Sequence, residues 1–568
     1  MLASCVPASE PVVYPPLRTG MRGSHPGSFE VAHKLRDGTL ALGEPDLLDE
    51  RYDLIVVGGG ISGLAAAHLF RQRMRGATVL VLDNHDDVGG HARRNEFLVD
   101  GYPLVSYGGT ESIEYPEQYS AAARGLLADV GILLGSRSEI ARLERPATFF
   151  DRETFGADRL VLGDDDALAD EFLARAPVSD ATRADLVRVR STIDHWPGTT
   201  SADAKARLAK LSYRSFLTDV VKVTPATLPW FQTRTHSLYG VGIDAVPALD
   251  CWALEFPGFA GMRLDADAPS PGLGRTPVLE QRGGGDVQFS DGNATVARRI
   301  LQQLVPEIGG GRIAYERLDR KAAPVRVRLG STVVRAHERG DDVEVTYVRG
   351  ERAYAVRARA CVLACWNTVI PYLVRELPAA QKQALAYGVK VPLVYTNVAL
   401  RNWRAFERLG IGSVAVPGGY FTSARLELPS RRTKPDEPAI VKLVRTPCKP
   451  GLPARDQHRA GRGELLITPF ERFERAVRDL FARLLGPGGF VAERDLAAIT
   501  VNRWAHGYAY EYNSLWDPAW PAGQEPCVVG RQPFGRIAIA NADAGAYAYT
   551  DGAIDQAFRA IGEIVRRF

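Results

Sequence analysis

Gly58, Gly60 and Gly63 stand at GxGxxG spacing in "DLIVVGGGISGLAAAH" (Asp53–His68), directly behind an apolar run. Glycines at this spacing allow a tight turn and let the backbone approach a pyrophosphate. The helix that follows supplies free N–H groups and the positive end of its dipole. Alone the pattern is weak, but here the strand-like "YDLIVV" precedes it and Ser62 lies within the turn. "ATVLVLD" then places Asp83 twenty residues after Gly63, at the end of a second strand. An acid at that point accepts hydrogen bonds from adenosine ribose hydroxyls and repels the 2′-phosphate of NADP. The chemistry expected is dinucleotide binding. A partial second match, "GVGIDAVP" (Gly240–Pro247), has no convincing strand before it, and Pro247 would stop a helix at once. One dinucleotide site is therefore expected.

The identity of the dinucleotide rests on two other stretches. "NHDDVGGHARRNEF" begins at Asn84 and carries the Gly89–Gly90 doublet, followed by His91. "IANADAGAYAYTDGAIDQAFRAIGEIV" reads as a strand ending at Asp543, a Gly/Ala turn, and a helix starting near Asp551, Gly552 and Ala553. A helix N-terminus aimed at a flavin stabilises the negative charge that develops when N5 accepts a hydride. Asp543 would then meet the ribityl or pyrophosphate region. FAD is the cofactor expected.

The elements that position these residues make an ordinary globular chain. It has 568 residues, 45% hydrophobic and 24% charged, with a formal net charge of +3. Its basic residues are scattered, which argues against a nucleic-acid partner and for a small-molecule one. No apolar run is long enough to cross a bilayer. The six cysteines show no CxxC, so a zinc ribbon, a c-type haem motif and a disulfide scaffold are not expected. Cys361 and Cys365, in "ACVLACWN", read as buried inert thiols. "MLASC" resembles the end of a lipoprotein signal without the regions that should precede it, and is read as coincidence. The compartment stays open: a soluble protein, cytoplasmic or, if an export signal lies upstream of residue 1, periplasmic. Oligomeric state is not readable.

The fold class expected is α/β: a Rossmann-like dinucleotide domain interleaved with an α+β substrate domain. Residues 1–50 form a Pro-rich arm. Residues 51–115, 286–376 and 497–568 form the dinucleotide domain, and 116–285 and 377–496 the substrate domain with a helical insertion. "NATVARRILQQLV" and "FERFERAVRDLFARLL" read as helices, as do "DDALADEFLARA" and "RADLVRVRSTIDHW". "VRVRLGSTVVRAHE", "DVEVTYVRG", "RARACVLAC", "KVPLVYTNVAL", "AIVKLVRT" and "AAITVNRW" read as strands.

On these motifs the chain resembles the flavin-containing amine oxidase superfamily. Within it, the nearest resemblance is to bacterial spermidine dehydrogenases, through "TGMRGSHPGSFEVAH", "LDNHDDVGGHARRNEF", "VKVPLVYTNVALRNW" and "NRWAHGYAYEYNSLWDP". It departs from the superfamily at the doublet, where GGR is usual and His91 replaces the arginine; Arg94, or its neighbour Arg93, is expected to take over. The resemblance implies a flavin cradle that also includes Gly109, Thr110 and Val334. It implies oxidation of an amine C–N bond, hydrolysis of the imine, and transfer of electrons to oxygen, a quinone or a redox protein. The amine must react neutral, in a dry site.

The resemblance also implies residue roles. Lys390 would sit near flavin N5, holding a water. Tyr549 would form one wall of an aromatic cage, with Trp504, Tyr508 or Tyr510 as the other. Glu111, ahead of Glu114, would bind the remaining ammonium of a polyamine. His25 and His33, with His91 as a further candidate, would be axial ligands of a haem b. Two other readings stand beside this one: a flavin desaturase or oxidase of the same fold acting on an apolar substrate, and a non-catalytic FAD or haem carrier.

Overall fold

The computed structural model describes residues 14–135, 137–163 and 168–567. The "MLASC" stretch and part of "DDALADEFLARA" lie outside the described residues. In chain order, the elements that build the site begin with β1 (Gly20–Gly23), β2 (Asp46–Val57), α1 (Ile61–Arg73) and β3 (Val79–Leu82). There follow β4 (Val325–Arg328), β5 (Thr332–Arg339), β6 (Asp342–Arg349), β7 (Arg352–Leu363) and β8 (Val391–Leu400). The last are β9 (Ser423–Leu428), β10 (Ala439–Arg445), β11 (Leu496–Tyr508), β12 (Ile537–Ile539) and α2 (Thr550–Val565).

The dinucleotide sheet runs β4–β3–β2–β7, all parallel. Leu54 and Val56 face the core that holds α1 and α2, while Ile55 and Val57 face a second core on the opposite side. With both faces covered, the strand reads as an unbroken apolar run rather than an alternating one. β7 is long enough to serve twice. Its first half pairs antiparallel with β6, and Cys361–Leu363 pair in parallel with β12. Cys361 and Cys365 lie in or just after this strand, and burial pushes both thiols well up.

The second sheet contains β1–β11–β8–β10–β9 in that order. One face packs against the helix Phe470–Leu485 through Val398, Val441, Phe473 and Val477. The other face is polar, because its registers align Arg425, Lys442, Asn397 and Thr500 in one row across four strands.

The structure moves several expected boundaries. Residues 46–50 were expected in the arm but already belong to β2, opposite Tyr354 and Ala355. β11 was expected in the dinucleotide domain; it pairs with β8 and β1 in the second sheet. β12 stops at Ile539, so Asp543 lies in a short 3-10 turn, Ala542–Gly545, and α2 begins at Thr550. The arm is an edge strand tied down by Arg22, which donates to Asp86 at 2.7 and 3.0 Å. Among the described residues, no helix is long and apolar enough to cross a membrane.

Candidate functional site

The cradle at the β2–α1 turn is built by what its glycines lack. Gly58 has φ +110°, and a Cβ there would lie 2.8 Å from the Ala364 carbonyl. A Cβ on Gly63 would lie 1.9 Å from the Gly58 carbonyl oxygen, so this glycine permits the close seating of helix on turn. Gly60 differs: its nearest neighbour would be 3.8 Å away, leaving room above the N-terminus of α1. Ser62 lines the same cavity and its Oγ is buried with no partner. Space, a free hydroxyl and the end of a helix together suit a pyrophosphate. Asp83 accepts from the Gly59 N–H at 2.6 Å and the His85 N–H at 2.8 Å. Burial alone would raise its carboxyl, but bonds from His85 and Gly59 hold it below the usual range, as a carboxylate.

This cavity, of about 220 Å³, also touches Asn84, Gly90, His91, Trp504, Asp543 and Ala553. Ser24 and Ala32 line it too, so the arm closes one side. Lys390 precedes β8, lines the cavity, and donates to the Asp543 carboxylate at 2.6 Å. Burial pushes the His91 imidazole down to about 3, with Lys390 adding to the effect, so the ring is neutral.

A larger cavity of about 790 Å³ adjoins the first, and Thr110, Ala548, Tyr549 and Thr550 line both. These four form a seam. Tyr549 stacks on Tyr547, with centroids 4.8 Å apart and planes at 15°. Tyr508 and Tyr395 also line the larger cavity and share a hydrogen bond of 2.5 Å between their hydroxyls. Glu114 lies in this wall with only the Ser112 hydroxyl as partner, and burial pushes its carboxyl up to about 7. Deeper, the Glu511 carboxyl accepts from the Thr276 N–H and hydroxyl at 2.6 and 2.7 Å. Asp250, near Glu511, accepts from the Tyr239 hydroxyl at 3.2 Å and is pushed up to about 7 by burial and by Glu511.

Several expected residues stand elsewhere. Glu111 borders the larger cavity, but its Oε1 accepts from Arg142 at 2.7 Å, Arg425 at 2.6 Å and Gln288 at 2.8 Å. Its carboxylate is already engaged by two guanidiniums, which Glu427 shares. Arg94 bonds Glu96 at 2.6 Å and Asp291 at 3.0 Å and does not line the dinucleotide cavity; the buried neighbour is Arg93, 3.2 Å from Asp87. Val334 is displaced by Val333, because the β5–β6 register shifts between Val333 and Arg335. Gly109 and Gly552 make close chain contacts instead of lining the cavity: a Cβ on Gly109 would meet the His91 carbonyl, and one on Gly552 the Tyr547 ring. Asp551 is buried with Oδ1 unpartnered, also outside the lining.

Trp504 belongs to the dinucleotide cavity and donates to the Gly108 carbonyl at 2.6 Å. Tyr510 lines the larger cavity, with its hydroxyl held by Asp517 at 2.9 Å. The arm histidines turn to different partners. His25 lies 3.6 Å from Asp86, with its ring 6.0 Å from His85, whereas the His33 ring lies 6.3 Å from His506. That pair frames no common slot for a porphyrin. Among the described residues, no group of three or more metal-binding side chains is arranged for an ion.

Sequence reasoning missed Tyr395, Lys442, Arg425, Glu427, Asp250 and Glu511. The one available signal was a lysine in the middle of the apolar strand "AIVKLVRT".

Comparison with known proteins bears on the fold. A model of the NAD(P)-binding Rossmann-like domain matches residues 56–123. No curated protein matches the sequence. A structure of putrescine oxidase bound to putrescine superposes at a TM-score of 0.56, with 16% identity over 91% of this chain and 100% of that one. Cyclohexylamine oxidase from Brevibacterium oxydans IH-35A gives 0.53, with 17% identity over 91% and 99%. A protein provisionally named a protoporphyrinogen oxidase, from Exiguobacterium sp. 255-15, gives 0.54 with 13% identity over 92% and 100%. The chain has the α/β fold of these proteins.

Proposed function

We propose that this chain is an FAD-dependent oxidoreductase that oxidises the C–N bond of an amine, and that the amine is a polyamine such as spermidine. The observation that carries the reading is the seam at Thr110, Ala548, Tyr549 and Thr550, where a dinucleotide cradle meets a tyrosine-walled cavity. That cavity is lined by Glu114 and Glu511, with Asp250 behind Glu511; burial raises all three carboxyls. A carboxyl raised by desolvation is one that an incoming ammonium group would ionise and bind. An apolar substrate leaves these groups without a use, and a carrier leaves the larger cavity without one.

FAD supplies the hydride acceptor when bound. Ser62, the space over Gly60 and the N-terminus of α1 would hold its pyrophosphate, Asp83 its adenosine ribose, and Asp543 with Lys390 the flavin half. Tyr549 and Tyr508 would wall the amine and exclude water, while Glu114 holds an ammonium beside them. Electrons would leave to an external acceptor: oxygen, a quinone or a redox protein. Haem is not part of this reading, because His25 and His33 face different partners.

The test is an absorption spectrum of the purified protein, repeated anaerobically with spermidine. Bleaching of the flavin bands is expected. Bands that no amine bleaches would overturn the reading, and a Soret band would restore haem.

A further inference from the structure

We propose that Lys442 is the resident proton acceptor of the larger cavity, taking the proton from the ammonium form of the amine so that the nitrogen lone pair is free. This rests on the amine-oxidising reading above.

Lys442 lines that cavity at 2% exposure. Among the described residues its only hydrogen bond is to the Tyr107 carbonyl, at 3.3 Å, although an ammonium carries three donors. Nζ lies over the Tyr107 ring and 5.0 Å from the centre of the Tyr395 ring. Among the described residues no carboxylate is paired with it. Across the strands it faces Arg425 on β9 and Asn397 on β8, with Thr500 of β11 beyond. The nearby acids are already engaged: Glu111 by Arg142 and Arg425, and Glu427 by Arg425 at 3.2 Å and by the Tyr107 hydroxyl at 3.2 Å. Burial without a counter-ion pushes the side chain well below the usual lysine range, which favours the free amine.

The neutral amine is matched to the task. The proton passes from R–CH₂–NH₃⁺ to Nζ, giving R–CH₂–NH₂ and a lysine ammonium; no other bond changes. Donor and acceptor are both alkyl amines in one dry cavity, so their proton affinities are close. The two tyrosine faces stabilise the ammonium while it exists. The Tyr395–Tyr508 hydroxyl pair lies beside it, and Thr110, at the seam, follows Tyr107 by three residues. Chain reach therefore holds the seam within roughly 11 Å of the carbonyl that anchors Lys442. Among the described residues the other buried lysines do not serve: Lys390 is ion-paired with Asp543, and Lys205 bonds the Ala266 and Ala268 carbonyls away from this cavity. Glu114 is also unsuited: accepting the proton would remove the charge that holds the substrate.

The experiment follows anaerobic flavin reduction of the holoenzyme by spermidine, and by a monoamine, between pH 6.5 and 10. Lys442→Met and Lys442→Arg are compared with the unaltered chain. Both variants are expected to be about 100-fold slower at pH 7 and to approach the unaltered rate near pH 10, where the amine arrives neutral. Lys442→Arg places a permanent cation there that accepts no proton, so recovery of the pH 7 rate by arginine would overturn the proposal. An equal deficit at every pH, or no deficit, would do the same. If no amine reduces the unaltered protein at any pH, the functional reading itself fails and the proposal with it.

Discussion

Lys390 and Lys442 are both buried and both belong to the second sheet, one just before β8 and the other within the neighbouring β10. One meets a carboxylate at 2.6 Å and faces the dinucleotide cavity; the other meets only a carbonyl and two aromatic rings and faces the larger cavity. The same residue type is therefore ion-paired in one place and without a counter-ion in the other, where burial favours the neutral amine. The surroundings decide which: desolvation disfavours the charged form, and a close opposite charge restores it.

The sharpest break of this comparison applies one substitution at both sites. Lys390→Met leaves the buried Asp543 carboxylate with only the Asn367 N–H, and should cost about 3–5 kcal/mol of stability. Lys442→Met removes a desolvated amine that has no counter-ion and should stay within about 1 kcal/mol. Denaturant midpoints measure both, and equal losses would mean that the two lysines share one charge state. In the loaded enzyme, Lys390→Met should also slow flavin reduction sharply, whatever the pH.

Glu114 extends the contrast to an acid. Its carboxyl is raised to about 7 by burial, so the native state holds a proton that the unfolded chain has released. Its contribution to stability is therefore full below pH 4.5 and is lost as pH rises through about 7. Glu114→Gln should be up to about 3 kcal/mol more stable than the unaltered chain at pH 8, and no different at pH 4. If Glu114 holds an ammonium, the same variant should weaken polyamine binding by about 10-fold, since a charge-assisted bond is lost. Greater stability at pH 8 with no change in binding would assign Glu114 to the cavity wall alone.

What could be read from the sequence divides along the same line. The cradle depends on Gly58, Gly60, Ser62, Gly63 and Asp83, which lie within 26 residues of one another, so spacing alone carries the chemistry. The larger cavity is assembled across the chain. Glu111 looked like an ammonium anchor because the residues that engage it, Arg142 and Arg425, lie 31 and 314 positions away. Nothing near Lys442 in the chain gives it a role; the β8–β10 register places it opposite Asn397, inside the sheet. The choice between Val333 and Val334 turned on a single irregularity in β5, which no periodicity argument detects.

The smallest effect expected is at Arg94, and it separates the two regions by a null result. The GGH departure called for a substitute arginine, and Arg94 was the first choice. Its guanidinium is instead committed to Glu96 and Asp291, holding strand to loop outside the cavity. Arg94→Ala should therefore leave FAD affinity within about twofold and cost about 1 kcal/mol or less, because the pairs it breaks are only partly buried. Ser62→Ala removes a hydroxyl that faces the cavity with no other partner, so it should weaken FAD by about 10–100-fold, the worth of one hydrogen bond to a charged group. Titration of the apoprotein with FAD decides between them. A larger loss at Arg94 than at Ser62 would mean that the cradle reorganises on binding and recruits that arginine.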